Sequence, residues 1–140
     1  MTTVNTLLSG GQGVTVPAGF VAQVIAQTFS GVTITTSNTQ LCTVTISANG
    51  IYLITLETDV SIGSSTRILA APSNWTGTAT YSIQNVTAWD YARNVDTTSA
   101  GLNISTVAYV TNPGTIIVNA VSTTANATSA RGLIRFIRLA

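Results

Sequence analysis

The stretch that decides the fold is Leu41-Cys42-Thr43-Val44-Thr45-Ile46-Ser47-Ala48-Asn49-Gly50-Ile51-Tyr52-Leu53-Ile54-Thr55-Leu56-Glu57-Thr58-Asp59-Val60. From Leu41 to Ser47, Cys42, Val44 and Ile46 alternate with Thr43, Thr45 and Ser47. That period of two is the one a pleated strand imposes. Asn49-Gly50 is a tight-turn signal of the kind that supplies positive φ. From Ile51 to Val60 the alternation resumes, with Tyr52, Ile54, Leu56 and Val60 on one face. Glu57 and Asp59 fall on the other face and mark its far end as wet. Its near end carries Ile51 and Leu53, so this strand is apolar on both sides where it begins.

The same pattern extends in both directions. Threonine and serine fill over a quarter of the sequence, and threonine, valine and isoleucine favour strands because their branched Cβ packs well on a pleat. Phe20 to Phe29 alternates. Arg67 to Ala71 is a short strand stopped by Pro72, and Thr78 to Val86 alternates through Ala79, Tyr81 and Ile83. Ile104 to Thr111 is a strand ended by the turn Asn112-Pro113-Gly114. Thr115 to Val121 and Gly132 to Leu139 complete the set. The intervening segments read as loops, the longest being Thr87 to Gly101 and Ser122 to Arg131. About eight to ten short strands without a helix of note predict an all-β sandwich or barrel. Residues 20–140 form its domain. Residues 1–19 are polar and glycine-broken, and are either an N-terminal arm or a first strand.

The chain has 140 residues and a mass of 14.5 kDa, with 45% hydrophobic but only 6% charged residues. It has no histidine and no lysine, and its nine charges are five arginines, three aspartates and one glutamate. A net charge of +1 gives no basic surface to displace counterions from nucleic acid. Without histidine, the single Cys42 has no imidazole base to activate it, and it reads as a small buried hydrophobe. Glu57 and Asp59, two apart on a strand face, could stand ~6–7 Å from each other. That separation suits a glycosidase pair or a calcium ligand pair, but such pairs come from different elements lining a cleft, and a solvated face is the expected state here. A non-enzymatic protein is expected, with no catalytic residue, metal ligand or cofactor. No apolar run approaches the ~20 residues that cross a bilayer. No secretory signal is visible, so synthesis in a cytoplasm is expected.

Asn49-Gly50-Ile51-Tyr52-Leu53-Ile54, preceded by Leu41 to Ile46, resembles the central signature of the C1q/tumour-necrosis-factor-like jelly roll. A Gly-x-Tyr opens a long core strand in that family, and its last strand runs almost to the C-terminus, as Gly132 to Ile137 does here. The resemblance spans residues 20–140. It implies an antiparallel jelly-roll sandwich and a tight trimer about a three-fold axis. Similar jelly rolls occur in phage and viral spikes, fibre heads and capsid decoration proteins, and the low-charge, lysine-free composition looks like that group.

A globule of this mass exposes ~6,900 Å², which nine charges cannot wet. Strands apolar on both faces are covered twice, and in a two-layer sandwich the second cover is another chain. A homo-oligomer, a trimer above all, is therefore expected, with Tyr52, Ile54, Tyr109, Ile116, Val118 and Phe136 as candidates for its core and interface. The alternative is a monomer with scattered surface hydrophobes. Trp75, Trp89, Tyr91 and Arg93 are candidates for ligand or partner contact, because aromatic platforms beside polar groups suit sugars and protein hot spots. Arg131, Arg135 and Arg138 cluster near the end, and either pair with acidic groups of a neighbour or protect a strand edge. The expected function is a virion structural protein, a trimer that decorates or cements the outer surface of a phage or viral capsid. Its partner would be the major capsid or another virion protein, with no nucleic acid and no membrane insertion. The alternative is a receptor-binding or lectin-like knob. A knob on a fibre needs a shaft, and the sequence holds no heptad or collagen-like triplet.

Overall fold

The computed structural model describes residues 3–7, 13–17, 23–62, 66–83, 92–95, 100–123 and 126–140. Thirteen strands run through these residues: β1 Thr3–Leu7, β2 Gly13–Pro17, β3 Val24–Phe29, β4 Val32–Ile34, β5 Thr39–Ile46, β6 Gly50–Ile62, β7 Thr66–Leu69, β8 Thr76–Gly77, β9 Thr80–Ile83, β10 Ala92–Val95, β11 Ala100–Asn112, β12 Gly114–Ser122 and β13 Ala127–Arg138. A single 3-10 turn, Pro72–Asn74, interrupts the strands among the described residues. Every ladder is antiparallel. β1 and β2 form a two-stranded sheet of their own. The larger sheet runs β3–β13–β6–β11–β9, with β4 also on β13. The smaller runs β10–β7–β12–β5, with β8 on β12.

The pairing is nested. β3 pairs with β13, β5 with β12, β6 with β11, and β7 with β10, and successive pairs fall in alternate sheets. Inward side chains of both sheets meet in one core. Ile54, Leu56, Ile134 and Phe136 enter it from the larger sheet, and Val44, Ile46, Ile116 and Val118 from the smaller, all at most 2% exposed. These two sheets form the sandwich that the alternating pattern predicts.

Asn49-Gly50 does not close a hairpin, because β5 and β6 lie in different sheets. It carries the chain across the sandwich. Gly50 has φ +145°, and a Cβ there would strike the Ala140 carbonyl, which accepts a hydrogen bond from the Ile51 amide at 2.8 Å. Glycine is required there by both conformation and space. Tyr52 then turns fully inward and donates its hydroxyl to the Ala48 carbonyl at 2.8 Å. Burial pushes its phenol pKa upward, and the Arg138 charge partly opposes the shift.

Two segments expected to be loops contain strand. Within Thr87–Gly101, β10 pairs with β7 and β11 begins at Ala100. Within Ser122–Arg131, β13 begins at Ala127, with β4 on one side and β6 on the other, and a register shift falls between Ser129 and Arg131. Alanine, serine and threonine carry little apolar pattern, so these strands form because ladders on neighbouring strands await them. Tertiary pairing overrides weak local preference.

Candidate functional site

Of the six candidates for the core and interface of a trimer, five belong to this chain's own core. Tyr52, Ile54, Ile116, Val118 and Phe136 are at most 1% exposed. They have no surface to offer a second copy. Tyr109 alone of the six is exposed, at 38%. Trp75 is corrected in the same way. A candidate for ligand or partner contact, it is buried, and its ring packs against Phe136 with centroids 6.4 Å apart. Among the described residues its indole N–H has no hydrogen-bond partner. Trp89 and Tyr91 lie outside the described residues. Arg93 stands on β10 in register with Ile68.

The apolar surplus lies on the other parity of the same strands, the outer face of the larger sheet. Register fixes its rows. Val24 of β3, Ile137 of β13, Leu53 of β6 and Val107 of β11 stand side by side. Tyr109 stands opposite Ile51 in the next row, and the Leu139 amide donates to the Ile51 carbonyl at 2.7 Å. Val24 is 62% exposed and Leu139 50%, while Ile51, Leu53, Val107 and Ile137 are partly exposed. Seven apolar side chains thus share one end of one face. The outer face of the smaller sheet differs in character. Thr43, Thr45 and Ser47 of β5 are exposed on it, and the Thr115 amide donates to the Thr78 hydroxyl at 2.9 Å.

The other end of the apolar face is charged. Arg135 lies opposite Thr55, Leu133 opposite Glu57, and Arg131 opposite Asp59. Arg131 Nε contacts Asp59 Oδ2 at 2.7 Å, and Arg135 Nη1 contacts Glu57 Oε2 at 3.4 Å. The hydrogen bond and charge of Asp59 hold the Arg131 guanidinium pKa above its usual value. Asp59 and Glu57 therefore each face an arginine, and among the described residues no group of three or more histidine, cysteine or acidic side chains converges to hold a metal. A cleft of about 710 Å³ opens at this end, with Glu57, Asp59, Asn103 and Arg131 on its rim. Phe29 forms part of its wall, its ring lying where a side chain at Gly132 would be.

Arg138, grouped with the other two arginines in the sequence, stands apart. It is in register with Tyr52, and its Nε donates to the Asn49 carbonyl at 3.0 Å. It ties the end of β13 to the crossover before β6. Cys42 is buried, and burial pushes its thiol pKa up to about 11. That disfavours the thiolate a nucleophile requires.

No helix of the described residues is long and apolar enough to cross a membrane. The chain matches no protein-family model and no curated protein sequence.

Proposed function

We propose that this chain is a self-associating jelly-roll module, a trimer, whose work is binding rather than chemistry. The observation that carries this is the apolar end of the outer face of the larger sheet, where Val24, Ile137, Leu53, Val107, Ile51, Tyr109 and Leu139 lie together. Scattered surface hydrophobes are ordinary, but a contiguous patch marks an association site. The apolar end covers four strands, about 19 Å, and two rows, about 14 Å, on the order of 260 Å² before side chains roughen it, so an interface would also take in the charged rows beyond it. A standard interface takes about 800 Å² from each partner. A flat sheet of strands offers an identical copy a surface of its own kind.

The nested pairing of β3·β13, β5·β12, β6·β11 and β7·β10 supports the jelly-roll reading, since a long hairpin of four strand pairs rolled into two sheets has this order. Within that reading, the function is decoration or cementing of a phage or viral capsid. The near-absence of charge, the threonine-rich outer face of the smaller sheet and a β1–β2 hairpin outside both large sheets support it. A lone two-stranded hairpin is marginally stable in water, and the surface of a major capsid protein would give it support. The test has two stages. Sedimentation equilibrium should give three chain masses at micromolar concentration, and the protein should pellet with bare capsids. A monomer, or a protein left in the supernatant, defeats the respective stage.

The cleft beside Asn103 favours one second reading, a receptor-binding knob that takes a polyhydroxyl ligand. A glycan array probed with the native chain and Asn103→Ala separates the two. Binding that the substitution abolishes would establish the knob.

A further inference from the structure

We infer that Arg131 and Arg135 on β13 of one copy pair with Asp59 and Glu57 on β6 of the next, so that the symmetry axis of the assembly runs parallel to the strands. This rests on the self-association proposed above and specifies its register.

Four of the nine formal charges of the chain stand on this one face, two of each sign. They are sorted by strand. Both cations are on β13 and both anions on β6. The face is also sorted along its length, apolar where β6 begins and charged toward Asp59. These two asymmetries restrict how a copy can lie on a copy. A two-fold axis in the plane of the sheets and across the strands would reverse one face end for end. Leu53 and Ile137 would then cover the carboxylates and guanidiniums of the neighbour, stripping them of water without a new partner, a costly arrangement. An axis parallel to the strands keeps apolar rows against apolar rows. Rotation about that axis sets one side of a copy beside the opposite side of the next, so β13 of one copy approaches β6 of the other. Cations then face anions, and each copy supplies both.

The intrachain pairs do not oppose this exchange. The side chains of Arg131 and Asp59 are 84% and 47% exposed, and those of Arg135 and Glu57 37% and 56%. Exposed pairs of this kind hold weakly, and a carboxylate has lone pairs for a second guanidinium. Arginine is also the cation that tolerates partial desolvation at an interface.

The experiment uses the full chain and two double variants, Arg131→Glu with Arg135→Glu, and Glu57→Arg with Asp59→Arg. Circular dichroism establishes that each folds, and sedimentation establishes its mass. Each variant alone should associate about ten-fold or more weakly than the native chain, and an equimolar mixture should regain association. In a ring of three, the mixture restores every contact but one. If the native chain is a monomer, both self-association and its register are overturned. If the native chain associates and Leu53→Asp dissociates it, while both charge variants assemble as the native chain does, self-association stands and the register is overturned. Variants that dissociate without recovery on mixing overturn the register as well. Should a double variant fail to fold, Arg135→Gln and Glu57→Gln replace it. Each should weaken association about three-fold, and unchanged association in both refutes the pairing.

Discussion

Adjacent residues on β6 separate the core from the proposed association face, and truncating each to alanine tests the assignment. Ile54 is 1% exposed and points into the sandwich, in register with Phe136 of β13. Leu53 points the other way, beside Ile137 and Val107. Both substitutions delete three carbons. At about 0.8 kcal/mol for each buried carbon, Ile54→Ala loses about 2.4 kcal/mol of transfer free energy. The residual cavity raises the total to about 3–4 kcal/mol. In the isolated chain Leu53 is already part wet, so Leu53→Ala should cost about 1 kcal/mol or less. Its effect belongs to the assembly, where the lost contact should raise the dissociation constant about ten-fold. Urea unfolding of dilute protein measures the first quantity, and sedimentation across a concentration series measures the second. Association also stabilises the native state by mass action, so the native chain should gain stability with concentration more steeply than Leu53→Ala does. Equal losses for the two variants in dilute protein would refute the assignment of faces. So would a Leu53→Ala chain that assembles as the native one does.

Three further outcomes follow from the same geometry. Gly132→Ala should lower stability by about 1–3 kcal/mol, because its Cβ meets the Phe29 ring, and Phe29→Leu in the same chain should recover part of the loss in urea unfolding. Tyr52→Phe should cost about 1 kcal/mol through loss of the hydrogen bond to the Ala48 carbonyl, read as a lower urea midpoint at unchanged slope. Cys42 carries a thiol whose folded pKa is raised from 9.0 to about 11, so the stability it contributes is complete below pH 9 and is lost as pH rises toward 11. Between pH 7 and pH 10 the native chain should therefore lose about 1 kcal/mol more than Cys42→Ala, and parallel losses in the two chains would refute this.

The architecture was legible where alternation was strong. Leu41 to Ile46 and Ile51 to Val60 are strands with the expected residues inward, Cys42, Val44 and Ile46 on one and Tyr52, Ile54, Leu56 and Val60 on the other. The position of the apolar outer face was not legible. A period of two shows that β6 has two apolar sides near its start, but not which side meets the second sheet. Tyr52 and Ile54 are as apolar as Ile51 and Leu53, and only strand pairing decides between them. Glu57 and Asp59 offered the signal that could have decided it. A face that ends in two carboxylates is the outward one, and the same parity runs back through Leu53 to Ile51. Trp75 was misplaced for a different reason. Pro72-Ser73-Asn74 announced a loop, yet the short 3-10 turn returns the chain so that the indole reaches Phe136.

That same parity explains why so few charges are enough. A protein with four carboxylates and five guanidiniums cannot keep every face wet by charge. Here the two outer faces divide the task. Exposed threonine and serine hydroxyls wet the smaller sheet on Thr43, Thr45 and Ser47. The larger sheet keeps two anions and two cations at one end and gives the other end to seven apolar side chains. Were the charges there only for solubility, a mixture of signs sorted by strand would gain nothing over random placement, and the apolar end would remain a liability. Sorting already lets Arg131 and Arg135 each meet a carboxylate on the adjacent strand, and when a second face arrives it also distinguishes one approach from another. In the proposed assembly, apolar area supplies the affinity, and the sorted charges reject the wrong register at the cost of burying unpaired ions. The prediction that separates these roles is a salt series. Raising ionic strength screens the exposed pairs and should slow assembly of the native chain while leaving its mass at equilibrium nearly unchanged. Assembly that vanishes in high salt would mean that charge, not apolar burial, holds the copies together.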